Sequence, residues 1–321
     1  MQNSGISSQI CSLLNNEEFR PTANLIVSTC SASDYLENVK PNLEKITTNY
    51  YETFSITDKF TGYFSDITVG EFFNTFSENN CEGTAILGGL NQTARKKQQE
   101  ESNVSSSSEE NSSLSIISEK DITVITNPED LTAGSSSIQG KRGTENIGIA
   151  VFNDDKLCGK LTATETICHL LINNDVNSFV ISIDNPCSDK EKNKIELNIV
   201  PNKKSKISVN IEDGIPNIYT DINVQASILT LEKNMEYENT DTLNKFSAKA
   251  EEYLQKQLTD YFNKISKDYN TDIDCFSYKA LSHFPTQKDW KDYNWKENFK
   301  NSRFHTNVKI NVVSSQMITK T

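Results

Sequence analysis

The chain has 321 residues, a hydrophobic fraction of 35% and a net charge of −12, with a pI ≈ 4.9. That length suits two or three domains, and the low apolar fraction points to a polar segment diluting folded regions. The acidic balance excludes nucleic acid as the main partner, because phosphate binding needs a basic surface, and it disfavours adsorption to anionic lipid headgroups.

Residues 1–92 form a first unit. Ile6 to Leu14 is predicted as a short helix, followed by a turn at Asn15-Asn16-Glu17-Glu18. Asn24 to Ser28 is a strand, rich in β-branched and aliphatic residues. Ser33 caps a helix from Asp34 to about Val39, which Pro41 ends. Val69 to Glu78 is a helix with Phe72, Phe73 and Phe76 on one face, and Gly88-Gly89 is a turn. Residues 93–143 then change character, with Ser105–Ser108, Glu109-Glu110 and Gly134-Ser135-Ser136-Ser137. Such a composition buries too little apolar area to offset chain entropy, so it predicts a disordered Ser/Glu-rich linker, with a short strand at Ile122–Ile125.

Residues 144–321 form the second folded region, with a possible division into 144–230 and 231–321. Gly148 to Leu161 predicts two strands joined at Asp154-Asp155, and Thr162 with Glu165 has capping-box spacing. In the helix that follows, Ile167, Leu170 and Leu171 share a face. Strands are predicted near 178–184, 194–200 and 206–211, and a long half-buried strand over 217–229. Leu243, Phe246, Ala250, Leu254, Leu258, Tyr261, Phe262 and Ile265 make the apolar stripe of a helix from Asp241 to Lys267, with Glu251 and Gln255 on its wet side. The last strand places Phe304, Thr306, Val308, Ile310 and Val312 inward. Strands and helices are segregated, which gives an α+β fold with antiparallel sheets and packed helices.

Chemistry is sparse. There is no phosphate-binding loop, no dinucleotide fingerprint and no nucleophile elbow. The residues that come nearest to a metal-ligand set, Cys158, Cys168 and His169, match no zinc spacing, and His169 falls on the polar side of its helix. Asp272-Ile273-Asp274 could offer oxygens to a cation but lacks the rest of a calcium loop. His283 lies in a loop and His305 on the polar face of the last strand. Trp290, Tyr293, Trp295, Phe299 and Phe304 cluster, as core or as a partner contact. The seven cysteines include no C-x-x-C pair, and most are expected as free, buried thiols. No catalytic, cofactor or metal residue is assigned.

The wording of several segments adds what these rules do not. G-x-A-V-F from Gly148, then K-L-x-G-x-L from Lys156 and Glu165-Thr166, resembles the Ger(x)C family of spore germination proteins, the C subunits of germinant receptors. Asp272, Ile273 and Phe276 fit the family's D-I-x-G-F-G element, with Cys275 and Ser277 in place of glycines. Pro285, Trp290, Trp295 and Phe299 follow in family order, and Arg20, Ala32 and Leu36 fit its strand-to-helix stretch, with Cys30 replacing a glycine. The resemblance implies a non-catalytic, three-domain α+β lipoprotein on the outer face of the spore inner membrane. It implies assembly with membrane-embedded A and B type receptor subunits, with no cofactor and no nucleic acid, in nutrient-triggered germination. The resemblance also places residues 1–92 as a partial first domain, without signal peptide or lipobox. A chain as written would then stay cytoplasmic, or reach the membrane through partners, or be a truncated non-functional paralogue.

Overall fold

Strand, tight turn, strand and capped helix follow one another from residue 144 to 173 in the computed structural model, which describes residues 5–39, 54–78, 81–92, 131–136, 143–187, 193–229 and 239–313. Strands β3 (Thr144–Asn153) and β4 (Lys156–Leu161) form an antiparallel hairpin with Asn153 opposite Lys156. Asp154 opens the turn at φ 54°, a left-handed conformation that a short polar side chain tolerates. Thr162 caps the helix Ala163–Asn173: its side chain accepts from the Glu165 N–H, and Glu165 accepts from the Thr162 N–H at 2.8 Å. The predicted capping box is therefore present in full.

Both glycines of this hairpin make room rather than a turn. Gly148 has φ +88°, and a Cβ there would lie 2.2 Å from the Leu161 carbonyl oxygen. A Cβ on Gly159 would lie 2.3 Å from the Tyr269 ring. Tyr269 uses that space to cover the free edge of β4, donating to the Lys160 carbonyl at 2.8 Å and accepting from the Lys160 N–H at 3.3 Å.

The first sheet runs β1-β2-β3-β4, with β1 at Ile26–Ser28 and β2 at Thr84–Leu90. It takes strands from both sides of residues 93–143, because β2 pairs antiparallel with β3. Gly88 and Gly89 are inside β2, not in a turn. Gly88 lies against Ile26 and Tyr35, and Gly89 against Thr29 and Ala133, so neither position leaves room for a side chain. Residues 131–136 pack here too. The Ala133 N–H donates to Ile147, the Ala163 N–H donates to Leu131, and Glu145 accepts from Gly134 and Ser136. The predicted strand at 122–125, Pro41 and residues 93–130 and 137–142 lie outside the described residues. The helix after β1 spans Ala32–Asn38 and is capped by Ser31, two residues before the expected Ser33, whose hydroxyl instead donates to Glu37.

Strand β3 faces two cores. Ala150 and Phe152 join Ile6, Ile10, Val69, Phe72 and Leu87 on one side. Phe72 and Phe152 meet edge to face at 5.0 Å. Ile149 and Val151 face the larger core on the other side. An isolated 144–321 would thus lose the neighbour of β3 and expose Phe152.

The second sheet contains β5 (Phe179–Asp184), β6 (Lys194–Pro201), β7 (Lys206–Glu212), β8 (Ile215–Ile228) and β9 (Arg303–Val313). Its order is β5-β6-β8-β7, with β9 also on β8. The sheets are antiparallel except for two parallel pairs, β1–β2 and β8–β9. Side-chain alternation is the same in both pairings, so the sequence pattern does not separate them. The division considered near residue 230 does not divide this sheet, since β9 enters it from beyond that point. The long helix Thr240–Asn263 lays Phe246, Ala250, Leu254, Leu258, Tyr261 and Phe262 on the larger core. Ser247, Glu251 and Gln255 are not on its wet side. They run along β9, where Val312 and Ile310 donate to Ser247 and Glu251, and Gln255 donates to the Thr306 carbonyl at 2.6 Å. A helical i, i+4, i+8 row thereby satisfies an edge that would otherwise be open.

Gly159→Ala drives a methyl group into the Tyr269 ring, and overpacking of this kind costs about 1–3 kcal/mol. The expected outcome is a lower urea midpoint with an unchanged slope, partly restored when Tyr269→Ala is added.

Candidate functional site

The segment Asp272-Ile273-Asp274-Cys275 brings together groups from across the chain. One Asp272 oxygen accepts from the Phe276 N–H at 3.0 Å, the other from the Ser277 N–H at 2.8 Å and the Trp295 indole N–H at 2.9 Å. Its carbonyl accepts from the Glu82 N–H at 3.1 Å. Three N–H donors favour the ionised form, but burial outweighs them and pushes the Asp272 carboxyl up to about 7. Asp274 contacts the His169 Nδ1 at 2.7 Å and accepts from the Asn173 amide at 3.0 Å and the Tyr261 hydroxyl at 2.7 Å. Both carboxylates are thus engaged in holding the fold rather than presented to a cation. His169 is buried at 6% exposure, not on a polar surface. The reason is Asp274, which supplies it with a buried partner from 105 residues away.

Cys275 takes the left-handed conformation at φ 57° and is bonded to Cys81, with Cα atoms 4.9 Å apart. This overturns the expectation of free thiols for these two residues. Their sequence separation of 194 gives no local signal of the pairing. Of the proposed Cys/His set, Cys158 points its sulfur at the Val151 carbonyl and the Thr271 hydroxyl. Cys168 is fully buried, and burial raises its thiol pKa far above the usual range. Among the described residues, no three His, Cys, Asp or Glu side chains converge to hold a metal ion. His283 bonds the Val209 carbonyl at 2.6 Å, and His305 stacks on Tyr219 at 4.6 Å. Asp155 accepts from the Ser7 hydroxyl at 2.6 Å.

Beside the disulfide lies a cleft of about 420 Å³. The short helices Gln287–Tyr293 and Trp295–Phe299 supply one wall, the first capped by Thr286. Trp290 and Trp295 stack at 5.8 Å with planes 27° apart, and Trp295 packs on Phe299 at 5.8 Å. The aromatic cluster is therefore part core and part wall: Trp295 and Phe299 are buried, while Trp290 and Tyr293 are half-buried. Next to this wall lies an ion bridge. Lys296 contacts Glu82 at 2.9 Å and Asp154 at 2.8 Å, and Glu82 accepts from the Asp154 N–H at 2.7 Å. Burial raises the pKa of Glu82 in spite of Lys296. Asn270 also lines the cleft, and its Oδ1 is buried without a hydrogen-bond partner. Glu82, Lys296, Asn270 and Cys81 were not singled out by sequence reasoning, because they meet only after the chain folds.

The unfolded chain releases the Asp272 proton near pH 3.8, whereas the folded chain holds it to about 7. The stability from this group is therefore complete below pH 3.8 and is lost as the pH rises to about 7. Urea unfolding at pH 5 and pH 7 is expected to show a smaller loss of stability over that interval in Asp272→Asn than in the wild type. Asp274→Ala leaves His169 and Tyr261 without their buried partner and is expected to cost about 2–3 kcal/mol by the same assay.

Two comparisons agree with this architecture. The family described as spore germination B3/GerAC like, C-terminal, matches residues 147–316, and the spore germination protein N-terminal domain matches residues 1–92. A solved structure, described as the crystal structure of the GerBC protein, is similar in fold. Its TM-score is 0.63 at 15% identity, over 98% of this chain and 76% of that one. A search among curated proteins returned no match. With both halves matched in order, the chain belongs to the GerAC-like family of spore germination proteins.

Proposed function

We propose that this chain is a non-catalytic subunit of a spore germinant receptor, acting through contacts with membrane-embedded A and B type subunits in nutrient-triggered germination. The observation that carries this reading is the pair of family matches, N-terminal over 1–92 and C-terminal over 147–316. The chemistry of the site supports it. The buried carboxylates Asp272 and Asp274 and the buried His169 are occupied by structural hydrogen bonds, and the two cleft carboxylates Glu82 and Asp154 are held by Lys296. No helix among the described residues is long and apolar enough to cross a membrane. Attachment to the outer face of the spore inner membrane then rests on the partner subunits or a lipid anchor. For residues 93–130 we retain the linker reading, which rests on their composition, whereas residues 131–136 pack against the first sheet.

A tagged chain isolated from spore membranes is expected to co-purify with A and B type subunits. Spores lacking the chain are expected to lose the response to the nutrients that receptor serves, with recovery on complementation. Unchanged germination in those spores, with the tagged chain recovered alone, would overturn the reading.

A further inference from the structure

We propose that the open edge of β5 is a docking site for a strand of this same chain, residues 122–126, laid antiparallel to β5 with its acidic start toward Lys194 and Lys256. The inference rests on the edge, the crevice beside it and the sequence, and it does not depend on the receptor reading. β5 ends the second sheet, with β6 on one side only. The Asn185 N–H donates to the Asn193 carbonyl at 2.8 Å, which sets the phase of this antiparallel ladder. Phe179, Ile181 and Ile183 turn their backbone groups toward β6, and Val180, Ser182 and Asp184 turn theirs away. Just before the strand the edge is covered, since Asn177 and Ser178 donate to the Lys59 carbonyl in the helix Phe54–Thr61. From Val180 onward no described residue bonds the outward N–H and C=O groups. β9 has its edge satisfied by the long helix, and β5 does not. An unpaired row of this kind is a template for one more strand.

A crevice follows this edge. Tyr63, Leu131 and Val180 line its apolar end. Lys194, Lys249 and Lys256 line its charged end beside Asp184 and Glu252, and Ser182 and Tyr253 line both. Lys249 is held by Glu252 at 2.9 Å. Lys194 and Lys256 then face one carboxylate, Asp184, so the charged end carries a positive surplus on a chain of net charge −12.

The sequence of the segment fits both ends. Ile122-Thr123-Val124-Ile125-Thr126 is β-branched at every position, unlike the Ser/Glu-rich stretch before it. Glu119 and Asp121 precede it, and after Asn127-Pro128 the chain reaches Leu131, already seated in the apolar end of the crevice. Residues 127–130 span at most about 14 Å, so the segment is tethered close to that seat. Val180 lies at the same end as Leu131 and Asp184 at the other. A chain running along the edge toward Leu131 therefore runs opposite to β5, and it brings Glu119 and Asp121 to the lysines. Left apart, the β-branched run and the open edge are each an aggregation hazard, and pairing them removes both.

Amide hydrogen exchange on the full chain, read residue by residue, tests this. The Val180, Ser182 and Asp184 amides are expected to be protected in the wild type. In Val124→Pro, which removes a donor and disfavours a paired strand, they are expected to exchange about ten-fold faster or more. Ile181 and Ile183, bonded to β6, are expected to keep their wild-type rates in that variant, which also shows that the sheet is intact. Lys256→Glu, on an exposed side chain, is expected to speed exchange at Asp184 by about two- to five-fold, the worth of a surface charge pair. Exchange at open-chain rates at the three amides in the wild type would overturn the proposal. So would protection that survives in Val124→Pro, since another occupant, such as a second copy of the chain, would then hold the edge. An Asp184 rate unmoved by Lys256→Glu would overturn the antiparallel placement.

Discussion

A carboxylate buried among N–H donors holds this protein together at its most constrained point. Asp272 accepts from the first turn of the helix Phe276–Ala280 and from the indole of Trp295, and its backbone carbonyl takes the Glu82 N–H. Two residues on, Asp274 binds His169 and Asn173 from the helix Ala163–Asn173 and Tyr261 from the long helix. Burying such groups is unfavourable unless their bonds are satisfied, and here Phe276 and Ser277 supply local donors while Trp295, His169, Asn173 and Tyr261 are brought from other elements. The fold around the tripeptide is therefore specified by more than apolar burial. Any rearrangement of these helices strands a polar group in the core. The Cys81–Cys275 bond adds a covalent tie at the same turn.

The second constraint is β3, which is apolar on both faces. Ile149 and Val151 belong to the large core, and Ala150 and Phe152 to the smaller one with Phe72. A single strand thus acts as the shared wall of two cores. The N-terminal part of the chain depends on the C-terminal part for a wall, and β3 depends on β2 for its ladder. The cleft lies along the same seam, with Glu82 and Asp154 brought to Lys296 by β2 and the β3–β4 hairpin. Its aromatic wall is positioned by Asp272, so the core and the cleft share one anchor.

Local features were legible in the sequence because their causes are local. The β3–β4 hairpin follows from two apolar runs around the Asp154-Asp155 turn, the capping box from Thr162 and Glu165, and most of β8 from the alternation read over residues 217–229. The apolar stripe of the long helix was equally plain. Other features depend on partners distant in sequence, and these went unread. His169 looked polar-facing until Asp274 reached it. Glu251 and Gln255 looked solvated because the edge of β9, which they bind, arrives some fifty residues later. Gly88-Gly89 looked like a turn, since nothing in the sequence shows Tyr35 and Ala133 closing on β2. The disulfide and the cleft are assembled from residues around 81, 154 and 270–299, and no window on the chain contains them all. The family resemblance, by contrast, was legible because it rests on order and spacing.

The most direct test of Asp272 as the shared anchor is native-state hydrogen exchange on Asp272→Ala. If the carboxylate ties the two parts of the chain, exchange will accelerate together in the helices spanning 276–299 and at residues 82–84 at the start of β2. Acceleration confined to Phe276 and Ser277, with residues 82–84 and 295–299 protected as in the wild type, would contradict the account.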